Sequence, residues 1–335
     1  MKVLNTTPVG TQSPTLLDPT VLAREILLDV MRFRRMSSTH ANCADKPCEA
    51  CQAPHLPRIA AAIAHGKPIT FVLPAFPGKS PNPAKVLGHL PDMAEECALK
   101  FLGQVCKNIE QYYSPGARII LCSDGRVFSD SVGMPEQHVT EYQQEIAYMI
   151  ERLGLTSMIS LFNLDDLYEI VDFDLMRREL MEQYGKPLDV LRDLVRQGGK
   201  EDSSPESEEA HRLYCGITRF LVEDATRPGE TETRSAIQKK CRVRAYEVIQ
   251  RSNAWSELLA VHFPDAVRLS IHPQTCGTKK LGIRLMDAQS WMTPWHGVAV
   301  DMGGRFELLK RSQAEAMCAR VVEVAGRPSH YELMS

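Results

Sequence analysis

Gly78-Lys79-Ser80 are the last three letters of a nucleotide-binding phosphate loop, set within the segment FPGKSPNPAKVLG (76–88). Such a loop needs an earlier glycine five positions before Gly78 and a helix that starts at the lysine. Leu73 stands where that glycine should be. Pro74 and Pro77 remove two amide donors from the nest, and Pro81 and Pro83 oppose the helix. A phosphotransferase therefore stays only as a rival reading. What remains is a loop stiffened by four prolines in ten residues, which lose less entropy on ordering. It carries Lys79, Ser80, Asn82 and Lys85. Lysine is a compact cation for phosphate, or a base and nucleophile once desolvated. The plainer alternative is a proline-shaped connection with solvated lysines.

Four other groups have chemistry within reach. In SDGRVFSD (123–130), Ser123, Asp124 and Arg126 follow an apolar run; Asp124 suits a general base or amine grip, and Arg126 an anion. A plain Asp124-Gly125 turn pair is the alternative, and the site reading is favoured because ligand crevices form at the carboxyl ends of strands. Asn163, Asp165 and Asp166 follow the next apolar run, where a helix cap is the stronger reading. Arg268, Ser270 and His272 alternate on one expected strand face, with Lys279, Lys280, Thr293, Trp295 and His296 beyond. Trp295 is a candidate wall for an aromatic ring, though core packing explains most tryptophans. Finally, His40, Cys43, Cys48, Cys51 and His55 have spacing that fits a structural zinc clip, or reduced loop thiols. A zinc-stapled, non-enzymatic interaction module is the corresponding rival.

The elements that must position these groups follow from periodicity. PITFVLPA (68–75), ARIILCS (117–123) and SMISLFN (157–163) read as buried strands. Helices are expected from Asp18-Pro19, after an Asp92/Glu95 capping box, and at 136–153, 172–183, 187–197 and 235–262. GGKEDSSPESEE (198–209) has no apolar residue and reads as a linker or helix start. VRLSIH (267–272), LGIRLM (281–286), HGVAVD (296–301) and FELLKR (306–311) read as a meander, with Gly303-Gly304 as a tight turn and a final helix over 312–325. The expected fold is α/β: a Rossmann-like parallel sheet, added helices and a C-terminal antiparallel meander. The expected organisation is a tail over 1–17 and one catalytic unit over 18–335, with parts at about 66–170, 171–264 and 265–335.

Of 335 residues, 44% are hydrophobic and 24% charged, and the net charge is −3. That balance argues against a general nucleic-acid binder or a polybasic membrane anchor. No apolar stretch reaches spanning length and no basic-then-apolar leader opens the chain, so a cytoplasmic protein with reduced thiols is expected.

FVLPAFPGKSPNPAKVLGHLPDMAEE (71–96) followed by CSDGRVFSD (122–130) closely resembles the isocyanide (isonitrile) synthase family, the pyoverdine/dityrosine biosynthesis group. RLSIHPQ (268–274) and TPWHGVAVD (293–301) resemble it too, and the likeness runs from about Asp18 to past Lys310. The resemblance implies conversion of the α-amine of an aromatic L-amino acid, with L-tyrosine favoured over L-tryptophan, to an isocyanide. It implies ribulose 5-phosphate as carbon donor, reacting through an imine, phosphate loss and retro-aldol-type cleavage, with no cofactor required. It also implies an iron- and 2-oxoglutarate-dependent oxygenase as a pathway neighbour. Such a route needs a phosphate clamp, acid/base groups and an apolar slot. Lys79, Asp124, His272 and His296 are then the expected catalytic residues. Ser80, Asn82, Lys85, Ser123, Arg126, Arg268, Ser270, Lys279, Lys280 and Trp295 are the expected substrate-binding ones.

Overall fold

The computed structural model describes residues 18–37, 43, 46–168, 172–286 and 292–333; the expected tail over 1–17 lies outside them. Helices α1 (Pro19–Met31), α2 (Glu49–Gln52) and α3 (Leu56–Ala64) precede strand β1 (Ile69–Pro74). Helix α4 (Met93–Glu110) leads to β2 (Ala117–Cys122), and α5 (Gly125–Val132) and α6 (Glu136–Arg152) lead to β3 (Ile159–Phe162). Four helices follow: α7 (Phe173–Tyr184), α8 (Leu188–Gln197), α9 (Pro205–Ala225) and α10 (Arg234–His262). Strands β4 (Val267–Ser270) and β5 (Leu281–Gly282) complete a five-stranded parallel sheet in the order β3-β2-β1-β4-β5.

The local signals act as expected. Asp18 accepts from the Thr20 amide at 2.8 Å, with Pro19 preset for the first turn of α1. The Asp92/Glu95 box closes reciprocally at 2.9 and 3.0 Å and starts α4. The strands are largely apolar because both faces of the sheet are covered. Phe71, Leu73, Ile119 and Leu121 pack with α1, α4 and α6, while Val72, Cys122, Trp255 and Leu258 form the core under α7 and α10.

Two expectations about the last third are corrected. Val267–Ser270 and Leu281–Gly282 do not join the meander: α10 returns the chain to the free edge of β1, and β4 pairs there in parallel, with Val72 opposite Arg268. The final helix is only α11 (Arg311–Ala316). Branched Val321, Val322 and Val324 favour strand, and left-handed Ala325 and Gly326 (φ 52° and 75°) reverse the chain. A second sheet results, in the order β7-β6-β9-β8, from β6 (Val298–Asp301), β7 (Phe306–Leu309), β8 (Arg320–Val324) and β9 (Arg327–Glu332). Gly303 and Gly304 (φ 85° and 92°) make the turn between β6 and β7 as expected. The polar stretch at 198–209 contains a helix start, with Ser204 capping α9. Among the described residues no helix is long and apolar enough to cross a membrane.

The loop after β1 lies directly on the start of α5. A Cβ at Gly125 would meet the Pro77 carbonyl oxygen at 2.0 Å, a backbone contact that no rotamer change relieves. Gly125→Ala is expected to cost about 1–3 kcal/mol or more, as overpacking does. A denaturant midpoint equal to that of the unsubstituted protein would refute this close approach.

Candidate active site

Strand order reverses at β1: β2 and β3 lie on one side, β4 and β5 on the other. In open α/β sheets the crevice at such a reversal, outside the carboxyl ends of the strands, is where ligands bind. The loops leaving β1, β2 and β4 carry Lys79, Asp124 and His272 to that edge. Neighbouring strands are about 4.8 Å apart, so the ends of β2 and β4 lie roughly 10 Å apart across β1.

Asp124 immediately follows the loop that leaves β2 and precedes α5 without capping it through its side chain. Its Oδ1 is inaccessible and has no hydrogen-bond partner. Burial pushes its carboxyl up to about 7. His272 lies just past β4, crowded by neighbouring groups yet with much of its surface open. Burial, aided by Arg35 and Lys280, brings its imidazole down to about 4, which leaves it neutral at physiological pH. Burial and Arg268 lower Lys280 to about 8. His296 ends the turn Pro294–His296; its Nδ1 is buried without a partner and its ring lies 4.6 Å from that of Phe220. Burial and the charges of Lys85, Lys79 and His272 hold it well below the ordinary histidine value.

The proline-rich loop is not the phosphate cradle of a nucleotide-binding site: no helix begins between the end of β1 and Met93. Lys79 is instead fully enclosed. Its Nζ lies 2.9 Å from Asp92 Oδ2 and 2.8 Å from Glu95 Oε2, and donates to the Pro294 carbonyl at 3.1 Å. Burial opposes its charge, but the two carboxylates outweigh burial and raise the ammonium above its ordinary value. Glu95 is pulled both ways, upward by burial and downward by Lys79. Donors from Lys79, the Asp92 amide and the Tyr142 hydroxyl surround it, a set that favours the carboxylate. Ser80 Oγ and Lys85 Nζ both donate to Asp224 Oδ1, at 2.7 and 2.5 Å. Asn82 Nδ2 donates to the carbonyls of Glu223 and Thr226. The loop is thus stapled to the end of α9.

Several other expected site residues are engaged by the fold. Ser123 Oγ donates to the Phe76 carbonyl at 3.0 Å. Arg126 is buried, bonded to Glu136 and Thr140 and set 3.9 Å over the Phe173 ring. Asp166 caps the turn after β3 by accepting from the Asn163 amide at 2.7 Å, and Asp165 lies 3.8 Å from Arg126. Arg268 turns to α10 and donates to the Ser256 carbonyl at 2.7 Å. The alternation expected for Arg268, Ser270 and His272 stops with the strand: Ser270 Oγ accepts from the His272 amide at 3.1 Å in the bend that follows. Trp295 is buried in the main core, 5.4 Å from the Phe76 ring. Lys279 is exposed.

A cleft of about 800 Å³ opens beside this edge. Lys85, Arg227, Arg234, Lys310 and Arg311 line it together with Glu223, Glu230 and Glu232, so cations prevail; Phe220, Ile237 and Met292 add apolar surface, and Thr293 and His296 complete the inner wall. Asp124 and His272 lie outside its walls; His296 is on the wall and also within the field of His272.

The cysteine run is gathered as expected, with a different partner set. The Sγ atoms of Cys43, Cys48, Cys51 and Cys276 all lie within 4.8 Å of one another. His55 is buried before α3 and is not in this group, because the fourth position is filled by Cys276. His40 lies outside the described residues. Cys276 and Asp224 are the contributors that sequence reasoning missed. Each stands far along the chain from its partners, with no local spacing to mark it.

Residues 59–322 match the family described as "Pyoverdine/dityrosine biosynthesis protein". The chain is 42% identical to the L-tryptophan isonitrile synthase AmbI2 of Fischerella ambigua, over 96% of this chain and 94% of that protein. It is 44% identical to an L-tyrosine isonitrile synthase of Pseudomonas aeruginosa, over 93% of this chain and 94% of that protein. Its fold is similar to the crystal structure of the PvcA protein from Pseudomonas aeruginosa, with a TM-score of 0.86 and 43% identity, covering 93% of this chain and all of that one.

Removing the Lys79 ammonium would leave two carboxylates enclosed without their cation. Lys79→Met is expected to cost about 3–5 kcal/mol in denaturant unfolding, the penalty for breaking a buried pair from one side. A loss below about 1 kcal/mol would mean that the ammonium is not held as described.

Proposed function

Because the chain belongs to the pyoverdine/dityrosine biosynthesis family, we propose that it is an isocyanide synthase acting on a free aromatic L-amino acid with ribulose 5-phosphate as carbon donor. The observation that carries the reading is the pairing of Asp124 with His272 across β1. One is an enclosed carboxyl poised near neutrality and the other a neutral imidazole, each just past the end of a strand that flanks β1, where strand order reverses. Both can accept a proton from a small substrate and return it later in the reaction.

In this reading the cleft receives the sugar phosphate. Lys85, Arg227 and Lys310 form its cationic wall, and Lys79 supports the loop from beneath instead of touching the phosphate. The amino acid lies toward the strand ends. Its amine condenses with the ketone to an imine, Asp124 takes protons, and His272 and His296 give and take them as phosphate leaves and retro-aldol-type cleavages release the sugar carbons. Lys280, lowered to about 8, is a further proton carrier near His272. Similarity to both tyrosine- and tryptophan-named relatives supports an aromatic substrate; L-tyrosine is the first we would test. An iron- and 2-oxoglutarate-dependent oxygenase is the proposed consumer of the product.

Incubation with ribulose 5-phosphate and L-tyrosine or L-tryptophan should yield the amino-acid isocyanide, read by infrared absorption and mass. Its absence with both amino acids would end the proposal.

Asp124 also gives a pH signature. As a base it works ionised, so turnover should rise with pH through about 7, and Asp124→Asn should lower it by about 10²–10⁴-fold. Its folded-state value lies above the ordinary 3.8, so the fold holds the proton more tightly than the unfolded chain does. This group's contribution to stability is therefore full at low pH, is lost as pH rises from about 3.8 to about 7, and is level above. Asp124→Asn should abolish that slope; an unchanged slope or an unchanged acid limb would clear Asp124 of the role.

A further inference from the structure

We propose that Cys43, Cys48, Cys51 and Cys276 hold one structural zinc ion, which clips the N-terminal helices to the loop that carries His272. Cys51 and Cys276 Sγ are 2.9 Å apart, Cys48 and Cys276 3.0 Å, and Cys43 and Cys51 3.3 Å. A tetrahedral zinc tetrathiolate with Zn–S bonds of about 2.3 Å sets its sulfurs roughly 3.8 Å apart. Small side-chain rotations would therefore seat an ion at their centre. The four are free cysteines, at separations well beyond the bond length of about 2.05 Å that a disulfide requires.

The arrangement argues for a metal over a chance meeting of thiols. Thiols are weak hydrogen-bond donors, so four of them gain little from converging, while Cys276 is brought from 225 residues beyond Cys51. The Cys-x4-Cys-x2-Cys spacing is of the short-range kind that grips zinc. Four thiolates fill the tetrahedron and leave no open position for substrate, so the ion would be structural. Their mutual approach within 4.8 Å suits a single ion rather than a multi-iron cluster.

The surroundings are built to hold the turn. Arg34 donates to the Cys43 carbonyl at 2.8 Å, and Gln52 Nε2 to the Pro47 carbonyl at 2.9 Å. Gly277, at φ 83°, supplies the left-handed turn directly after Cys276 that glycine takes without strain. A second tether runs alongside: Arg35 and Ser37 exchange backbone bonds with Gln274 and Gly282. Cys276 is four residues past His272, whose carbonyl accepts from Gln274 Nε2 at 3.2 Å. The ion would therefore steady the crevice edge without entering the chemistry.

The test begins with metal content, which does not depend on the proposed activity. Elemental analysis of the full chain purified without chelator should find about one zinc per chain. Titration of that protein with a mercurial thiol reagent should release the zinc as about four slow thiols react, distinct from exposed Cys215 and Cys318. Cys276→Ser should abolish or greatly weaken retention, whereas Cys215→Ser should retain full zinc. If Cys276→Ser does not fold, the titration of the unsubstituted protein decides alone. A metal-free or iron-loaded protein, or four cluster thiols reacting as fast as Cys215, would overturn the proposal. Zinc present in a protein that makes no isocyanide would leave this inference standing and remove the functional one.

Discussion

A buried ammonium cannot be left without its counter-charges, and that single constraint shapes the region around Lys79. Its carboxylates, Asp92 and Glu95, are the two residues that close the capping box of α4. Its carbonyl partner, Pro294, stands just before β6 of the second sheet. One side chain therefore joins the exit of β1, the start of α4 and the entry to the second sheet. The Ser80 amide reinforces this by donating to the Trp295 carbonyl at 2.9 Å, and Phe76 packs on the Trp295 ring. The second sheet is in this way anchored beside the carboxyl edge of the first, and His296 reaches that edge with it.

Lys79 is fully engaged in this way, whereas other polar atoms near the same edge are left unpaired. Asp124 Oδ1 and His296 Nδ1 are both buried and without partners, which a protein tolerates at a site more readily than in a core. By contrast, Arg126 belongs to a scaffold. With Arg177 it binds Glu136, and Arg177 also reaches Asp174 and the Arg126 carbonyl. This network ties α5, α6 and α7 together behind Asp124. The close approach of Gly125 to Pro77 ties the same point to the β1 loop.

The other half of the crevice is held from the N-terminal side. The segment after α1 pairs with the backbone around Gln274 and Gly282, and the four cysteines lie beside that pairing. His272 and Lys280 are both in the stretch so restrained. The bend there, rather than strand alternation, sets the direction of His272.

The sequence by itself determined the elements whose signals are local. Apolar runs made the three central strands, capping chemistry placed the starts of α1 and α4, and the paired glycines turned β6 into β7, because each depends on residues within a few positions of one another. It also marked Asp124, His272 and His296 as chemically able, and the Cys43–Cys51 run as a possible grip. Only the tertiary structure decided which of these groups are engaged and which are open. Lys79 and Arg126 read as ligand-binding cations, yet their counter-charges are supplied by other elements. Asp224 takes up Ser80 and Lys85 from the far end of α9, and Cys276 replaces a histidine from across the chain. Strands β4 and β5 joined the parallel sheet because α10 delivered the chain to the open edge of β1. Pairings of this kind rest on long-range closure of the chain, and no spacing in the sequence encodes them.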